Sequence, residues 1–136
     1  MGIAPLQGFD FLYLPSRDVA ADLDFYTGVL GGEAIWAIER FGTRVARVKL
    51  TDAPPQLILA EHLEGDAPVL LHRVEDLDAA AAELEEQGVE VSARLGFPYG
   101  SAVAFAAPGG QRLAVYELLR PEVEESLNGR FDFWKK

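Results

Sequence analysis

One pattern occurs twice in this chain, 58 positions apart, and a repeated unit of that size restricts the fold more than any single motif. The first copy runs Phe11-Leu12-Tyr13-Leu14-Pro15-Ser16-Arg17-Asp18 and continues into Val19, Leu23 and Tyr26. The second runs Val69-Leu70-Leu71-His72-Arg73-Val74-Glu75-Asp76 and continues into Leu77, Ala81 and Leu84. In each, a period-two apolar segment meets an Asp and then apolar residues at helical spacing. This predicts a strand feeding a helix, with the carboxylate as N-cap. Each copy closes on a matched strand, Gln56-Leu-Ile-Leu-Ala-Glu61 in the first and Arg112-Leu-Ala-Val-Tyr-Glu117 in the second.

Between these landmarks, the first copy reads as a strand at 9–14, a helix to about residue 30, and strands at 33–39, 43–50 and 56–62. The apolar stripe 19, 23, 26, 30 marks the helix, and Gly31-Gly32 ends it. The second copy reads as a strand at 69–74, a helix over 77–87 stopped by Gly88, and strands at 89–95, 101–106 and 112–118. The expected organisation is one domain over 1–136. Module one spans 9–62, a linker containing Gly65 and Pro68 spans 63–68, module two spans 69–119, and a tail spans 120–136. The tail concentrates Phe131, Phe133 and Trp134 in four positions and is expected to dock, with a bend near Asn128-Gly129. The expected place is the body of the protein or a dimer partner, with a cover over the cleft as one alternative.

Composition bounds the function. With 49% hydrophobic and 25% charged residues the chain reads as a soluble globular protein, and no apolar run approaches the length that spans a bilayer. The absence of cysteine excludes disulfides and thiolate chemistry and fits a cytoplasmic address, as does the lack of a basic, apolar leader. A formal charge of −10 argues against nucleic-acid binding. The acidity is concentrated: Glu61 to Glu90 holds ten carboxylates and one basic residue, Arg73. That stretch reads either as a solvated face or as an attractor for a cationic small molecule.

Tandem strand–helix–strands modules of this size resemble the vicinal oxygen chelate superfamily, which includes glyoxalase I, extradiol dioxygenases, fosfomycin resistance enzymes and bleomycin-binding proteins. The resemblance implies an α+β fold in which two tandem βαβββ modules form a curled mixed sheet around a cleft. It also implies a homodimer. In metal-dependent members one ligand, usually His or Glu, comes from the first and one from the last strand of each module. Carried onto this chain, those positions are Phe11, Ile58, Val69 and Ala114. None has a lone pair to offer a divalent ion. A slip of one residue supplies a single donor, Asp10. The expectation is therefore no metal, no cofactor and no catalytic residue of the family's usual kind.

Neighbours two positions along the same strands share a face with these four. The expected cleft lining is Phe11, Tyr13, Ile58, Val69, Leu71, Arg73, Ala114 and Tyr116, with Ala60 among them and with Trp36 and Arg47 added from the middle strands of module one. This is an apolar surface with two phenols and two guanidiniums, suited to holding a ligand. By alternation His72 faces the helix layer, and Glu61 and Glu117 point away from the cleft; His62 sits at the rim. The leading expectation is a metal-free protein that binds a small organic ligand, cationic or aromatic, as the bleomycin-type sequestering resistance proteins do. Two alternatives stay open: a lyase, isomerase or hydrolase using Tyr13, Tyr116, Arg47, Arg73 or an unlocated metal, and a structural or regulatory domain whose cleft is filled.

Overall fold

In the computed structural model, which describes residues 6–135, the two copies of the repeat build the same succession of elements. The first gives β1 (Gly8–Pro15), α1 (Val19–Asp24), β2 (Glu33–Arg40), β3 (Thr43–Lys49) and β4 (Gln56–Ala60). The second gives β5 (Val69–Arg73), α2 (Leu77–Glu86), β6 (Leu95–Phe97), β7 (Gly100–Ala106) and β8 (Arg112–Leu118), and α3 (Pro121–Leu127) follows. Strands are ordered β2-β3-β4-β1 in one module and β6-β7-β8-β5 in the other. In each, the first strand runs parallel to the last and all other neighbours are antiparallel. A parallel first-to-last pair needs a long crossover, which the helix and two intervening strands supply. This is a mixed α+β architecture, as expected.

Both helices start on the expected aspartates. Asp18 and Asp76 sit in extended backbone and accept hydrogen bonds from the amides of Ala21 and Ala79, each at 3.1 Å. A second carboxylate joins each cap from the end of the module's last strand. Glu61 Oε2 accepts from the Val19 amide at 3.0 Å, and Glu117 Oε1 accepts from the Leu77 amide at 2.9 Å. Two of the four orphan amides at each helix start are thus met by acidic side chains, which also oppose the positive end of the helix dipole. Each helix packs on one face of its sheet. Val19 and Leu23 meet Ala37, Ala46, Val48, Leu57 and Leu59, whereas Leu77 and Ala80 meet Val74, Val103 and Val115.

Three elements depart from expectation. The first helix does not run on as an α-helix to residue 30. It widens into a π-helical turn at Phe25–Val29, where the Leu30 amide bonds the carbonyl of Phe25. The wider turn breaks the stripe, so Leu30 is 53% exposed while Val19 and Leu23 are buried. The strand expected at 89–95 shrinks to Leu95–Phe97. Ser92 Oγ accepts from the Ala104 amide at 2.8 Å, and this side-chain bond takes the place of a ladder carbonyl. Finally, Pro121–Leu127, for which no element was expected, forms the helix α3.

The chain forms two compact units whose ends do not follow chain order. Described residues up to Asp10 cluster with Val69–Glu125, and those from Ser126 onward cluster with Phe11–Pro68. At the first end, the Gln7 amide bonds the Arg73 carbonyl at 2.8 Å, and Phe9 stacks on His72 with ring centroids 4.7 Å apart. At the other, the Ala37 amide donates to the Arg130 carbonyl at 2.9 Å and the Asp132 amide donates to the Ala37 carbonyl at 2.8 Å, making a parallel bridge between Ala37 and Phe131 along the outer edge of β2. Phe131, Phe133 and Trp134 pack on the α1-side cluster, and Trp134 Nε1 donates to Asp24 at 2.9 Å. Gly129, at φ 81°, makes the bend. The tail docks on the body of the protein, on the helix side of module one, and the alternative of a cover over the opposite face is corrected.

Candidate functional site

In module one, alternation sends Leu12, Leu14, Leu57 and Leu59 toward α1 and leaves Phe11, Tyr13 and Ile58 on the other face. One cross-strand row crosses that face: Trp36 pairs with Arg47, Arg47 with Ile58, and Ile58 with Tyr13. Trp36 reaches this row through a bulge between Ala34 and Trp36; Ala34 and Ala37 both remain on the α1 side. Arg47 is held in place, with its Nε donating to Gln56 Oε1 at 2.6 Å and its guanidinium 5.0 Å from the Phe11 ring centroid. At the other end of the row the Tyr13 hydroxyl is 3.1 Å from His62 Nε2, and His62 Nδ1 is 3.2 Å from Thr43 Oγ1. Burial pushes the Tyr13 phenol up to about 12.

Module two repeats the arrangement. Val115 and Val74 pack on α2, and Val69, Leu71, Arg73, Ala114 and Tyr116 take the alternate positions, with Leu71 opposite Ala114 and Arg73 opposite Tyr116. The Tyr116 hydroxyl donates to Asp10 Oδ2 at 2.5 Å, and Arg73 Nε lies 3.7 Å from the same oxygen. Burial first, and then the bond to Asp10, hold the Tyr116 phenol above the ordinary range. The Phe97 ring lies 5.0 Å from that of Tyr116 and 5.7 Å from that of Tyr99.

The ten expected site residues thus fall on two faces, one per module, each opposite its helix. Trp36 and Ile58 have no exposed surface, and Phe11, Val69, Leu71, Ala114 and Tyr116 are nearly as enclosed. Tyr13, Arg47 and Arg73 are the partly exposed members. Three side chains that bond to these residues lay outside the expected lining. Gln56 and His62 share the parity of Ile58 on β4 and its extension, so strand alternation contained a signal for both. Asp10 carried none, because its partner Tyr116 lies 106 positions away. His72 aligns with Val115 on the α2 side, as expected. The carboxylates Glu75, Asp78, Glu85 and Glu86 lie exposed at and along α2.

The four positions that would ligate a metal in the resembling enzymes hold Phe11, Ile58, Val69 and Ala114, each at most 4% exposed. Among the described residues, no cluster of three or more His, Cys, Asp or Glu side chains could hold a metal ion. A divalent cation of the resembling enzymes does not fit these residues, since a dehydrated ion needs lone pairs that hydrocarbon lacks. The sequence profile of the Glyoxalase/Bleomycin resistance protein/Dioxygenase superfamily matches residues 8–115. The chain belongs to this superfamily.

Solved structures of superfamily-like fold agree. Methylmalonyl-CoA epimerase from Mycobacterium tuberculosis is similar at a TM-score of 0.71 and 20% identity, covering 92% of this chain and 96% of that one. A variant of Streptomyces coelicolor methylmalonyl-CoA epimerase in complex with 2-nitronate-propionyl-CoA is similar at 0.70 and 21%, covering 85% and 96%. The hypothetical protein BH1468 from Bacillus halodurans is similar at 0.68 and 15%, covering 81% and 93%. At these identities the likeness shows the fold. A search of curated proteins finds no match to the sequence. Among the described residues no helix is long and apolar enough to cross a membrane.

Proposed function

We propose that this superfamily member binds a small organic molecule without a metal and without transforming it, in the manner of the bleomycin-type sequestering proteins. The observation that carries this reading is the direction in which the phenols are tuned. A tyrosine serving as a base near neutral pH needs its pKa lowered toward 7. Tyr13 and Tyr116 are pushed the opposite way, Tyr13 to about 12, so both stay protonated hydrogen-bonding groups. The two guanidiniums suit orientation of a ligand: Arg47 is braced by Gln56 and Phe11, and Arg73 lies beside Asp10. The binder works in the cytoplasm as a homodimer.

The rival reading, an enzyme, draws on the structural likeness to methylmalonyl-CoA epimerases. An epimerase must remove and return a proton at carbon, and the two phenols, held in their neutral form, are not suited to be its bases. Two measurements decide between the readings. Elemental analysis of protein purified without chelator should find no stoichiometric transition metal, and methylmalonyl-CoA incubated with the protein in heavy water should gain no deuterium at carbon. A thermal-shift panel of aromatic and cationic small molecules should yield a stabilising ligand, with roughly 2.7 kcal/mol expected at about 100 times its dissociation constant. Near one metal per chain, or catalysed deuterium uptake, would replace the binder with an enzyme.

A further inference from the structure

We infer that Arg73, together with Asp10, Tyr116 and Gly8, forms a subsite that selects a neutral carbonyl oxygen on the ligand over a carboxylate; the inference rests on the ligand-binding reading above. It starts from an unmet donor. Arg73 Nε is buried and has no hydrogen-bond partner among the described residues, although a carboxylate lies nearby. A buried N–H normally has an acceptor, and a missing one points to a group that arrives from outside. Asp10 cannot serve. Its Oδ2 is drawn to Tyr116, whose hydroxyl sits 2.5 Å away, and this leaves Arg73 Nε at 3.7 Å, beyond hydrogen-bond reach.

The arrangement is built from several elements. Arg73 and Tyr116 are register partners on β5 and β8, and Asp10 comes from β1. Gly8 completes it: a Cβ there would stand 2.8 Å from Asp10 Oδ1 and 4.0 Å from Arg73 Nη2, so any other residue would crowd the carboxylate. The Arg73 side chain is 37% exposed, so an oxygen entering from solvent can approach the guanidinium and, after a small shift, its Nε edge. The sign of the charge beside that edge sets the chemistry. Asp10 already neutralises the guanidinium, and an incoming carboxylate would lie within a few ångströms of a like charge in a partly buried setting. A ketone, ester or amide oxygen accepts the same N–H bonds without that repulsion.

The test uses benzamide and benzoate, which match in shape and differ in charge, titrated by NMR into the full chain. Wild type should bind benzamide about tenfold more tightly than benzoate. Arg73→Met should weaken benzamide by about tenfold or more. Asp10→Asn keeps an acceptor for Tyr116 while removing the charge, and should reverse the preference so that benzoate binds better. Tyr116→Phe should release Asp10 to pair with Arg73 and so weaken benzamide as well. Benzoate binding as well as benzamide to wild type, or benzamide binding unchanged by Arg73→Met, overturns the inference. If Arg47→Met weakens the probe and Arg73→Met does not, this subsite falls while the binder stands. If neither probe binds and the thermal-shift panel is also silent, both fall.

Discussion

Phe41 stands fully in solvent, 101% exposed, at φ 53° in the two-residue turn joining β2 to β3. Gly42 follows at φ 74°, and positive φ at both positions is what a type I′ hairpin turn requires. Phenylalanine fits that backbone poorly and buries nothing there, whereas asparagine tolerates it. Phe41→Asn is expected to raise stability by about 1 kcal/mol and the melting temperature by about 4 °C; an unchanged or lower value would show that the ring has a partner. The buried phenols give a second prediction at this scale. The Tyr13 pKa rises from 10.0 to about 12, and that of Tyr116 rises further, so folding favours the protonated forms. Their contribution is full below about pH 10 and is lost as pH climbs through the folded values. An alkaline titration should therefore show their phenolate absorbance appearing together with loss of circular dichroism above pH 10. Ionisation of all four tyrosines near pH 10 with the fold intact would contradict the burial.

Elements inherit their strengths from contacts between distant segments. Glu61 and Glu117 were expected on the helix-side parity of their strands, and both reach the helix starts. Their work is to complete the caps of α1 and α2 across 42 and 40 positions. The tail is the element whose removal tells most. Its backbone covers the outer edge of β2, where Asp132 Oδ2 also accepts from the Glu39 amide at 2.9 Å, and an uncovered edge strand invites pairing with other chains. Arg44 stacks 4.6 Å over the Phe133 ring and further pins it. Deleting residues 130–136 is expected to cost about 2–5 kcal/mol, from three partly buried aromatic side chains, and to promote aggregation. A deletion variant with the wild-type melting temperature and a clean monodisperse profile would show the docking to be incidental.

At the scale of the molecule, the two modules share topology, cap chemistry and a sheet face opposite the helix while differing in almost every side chain. The tail and the short β6 dispose of two open edges, so the expected dimer draws its argument from apolar surface instead. Phe25, Val29 and Leu30 on the π-helical turn and Leu50 beyond β3 are all exposed, at 50%, 69%, 53% and 39%. Light scattering at micromolar concentration is expected to report twice the chain mass, and Val29→Asp with Leu30→Asp should shift it to one chain. A strictly monomeric wild type would remove the dimer from the functional reading.

The repeat, the two helix-capping aspartates, the succession of elements within each copy and the four apolar residues at the would-be ligand positions were all legible from the sequence. These rest on local periodicity and on side-chain chemistry, both of which act over a few residues. The bulge that turns Trp36 toward Arg47, the π-helical turn that exposes Leu30, and the Asp10–Tyr116–Arg73 cluster were not. Each depends on how separate segments meet: a ladder out of register by one residue, a turn wider than 3.6 residues, a hydrogen bond between positions 106 apart. Sequence sets which face a strand residue can take; only packing between strands decides which acids, phenols and guanidiniums come within bonding distance, because that distance is a sum over the whole path of the chain.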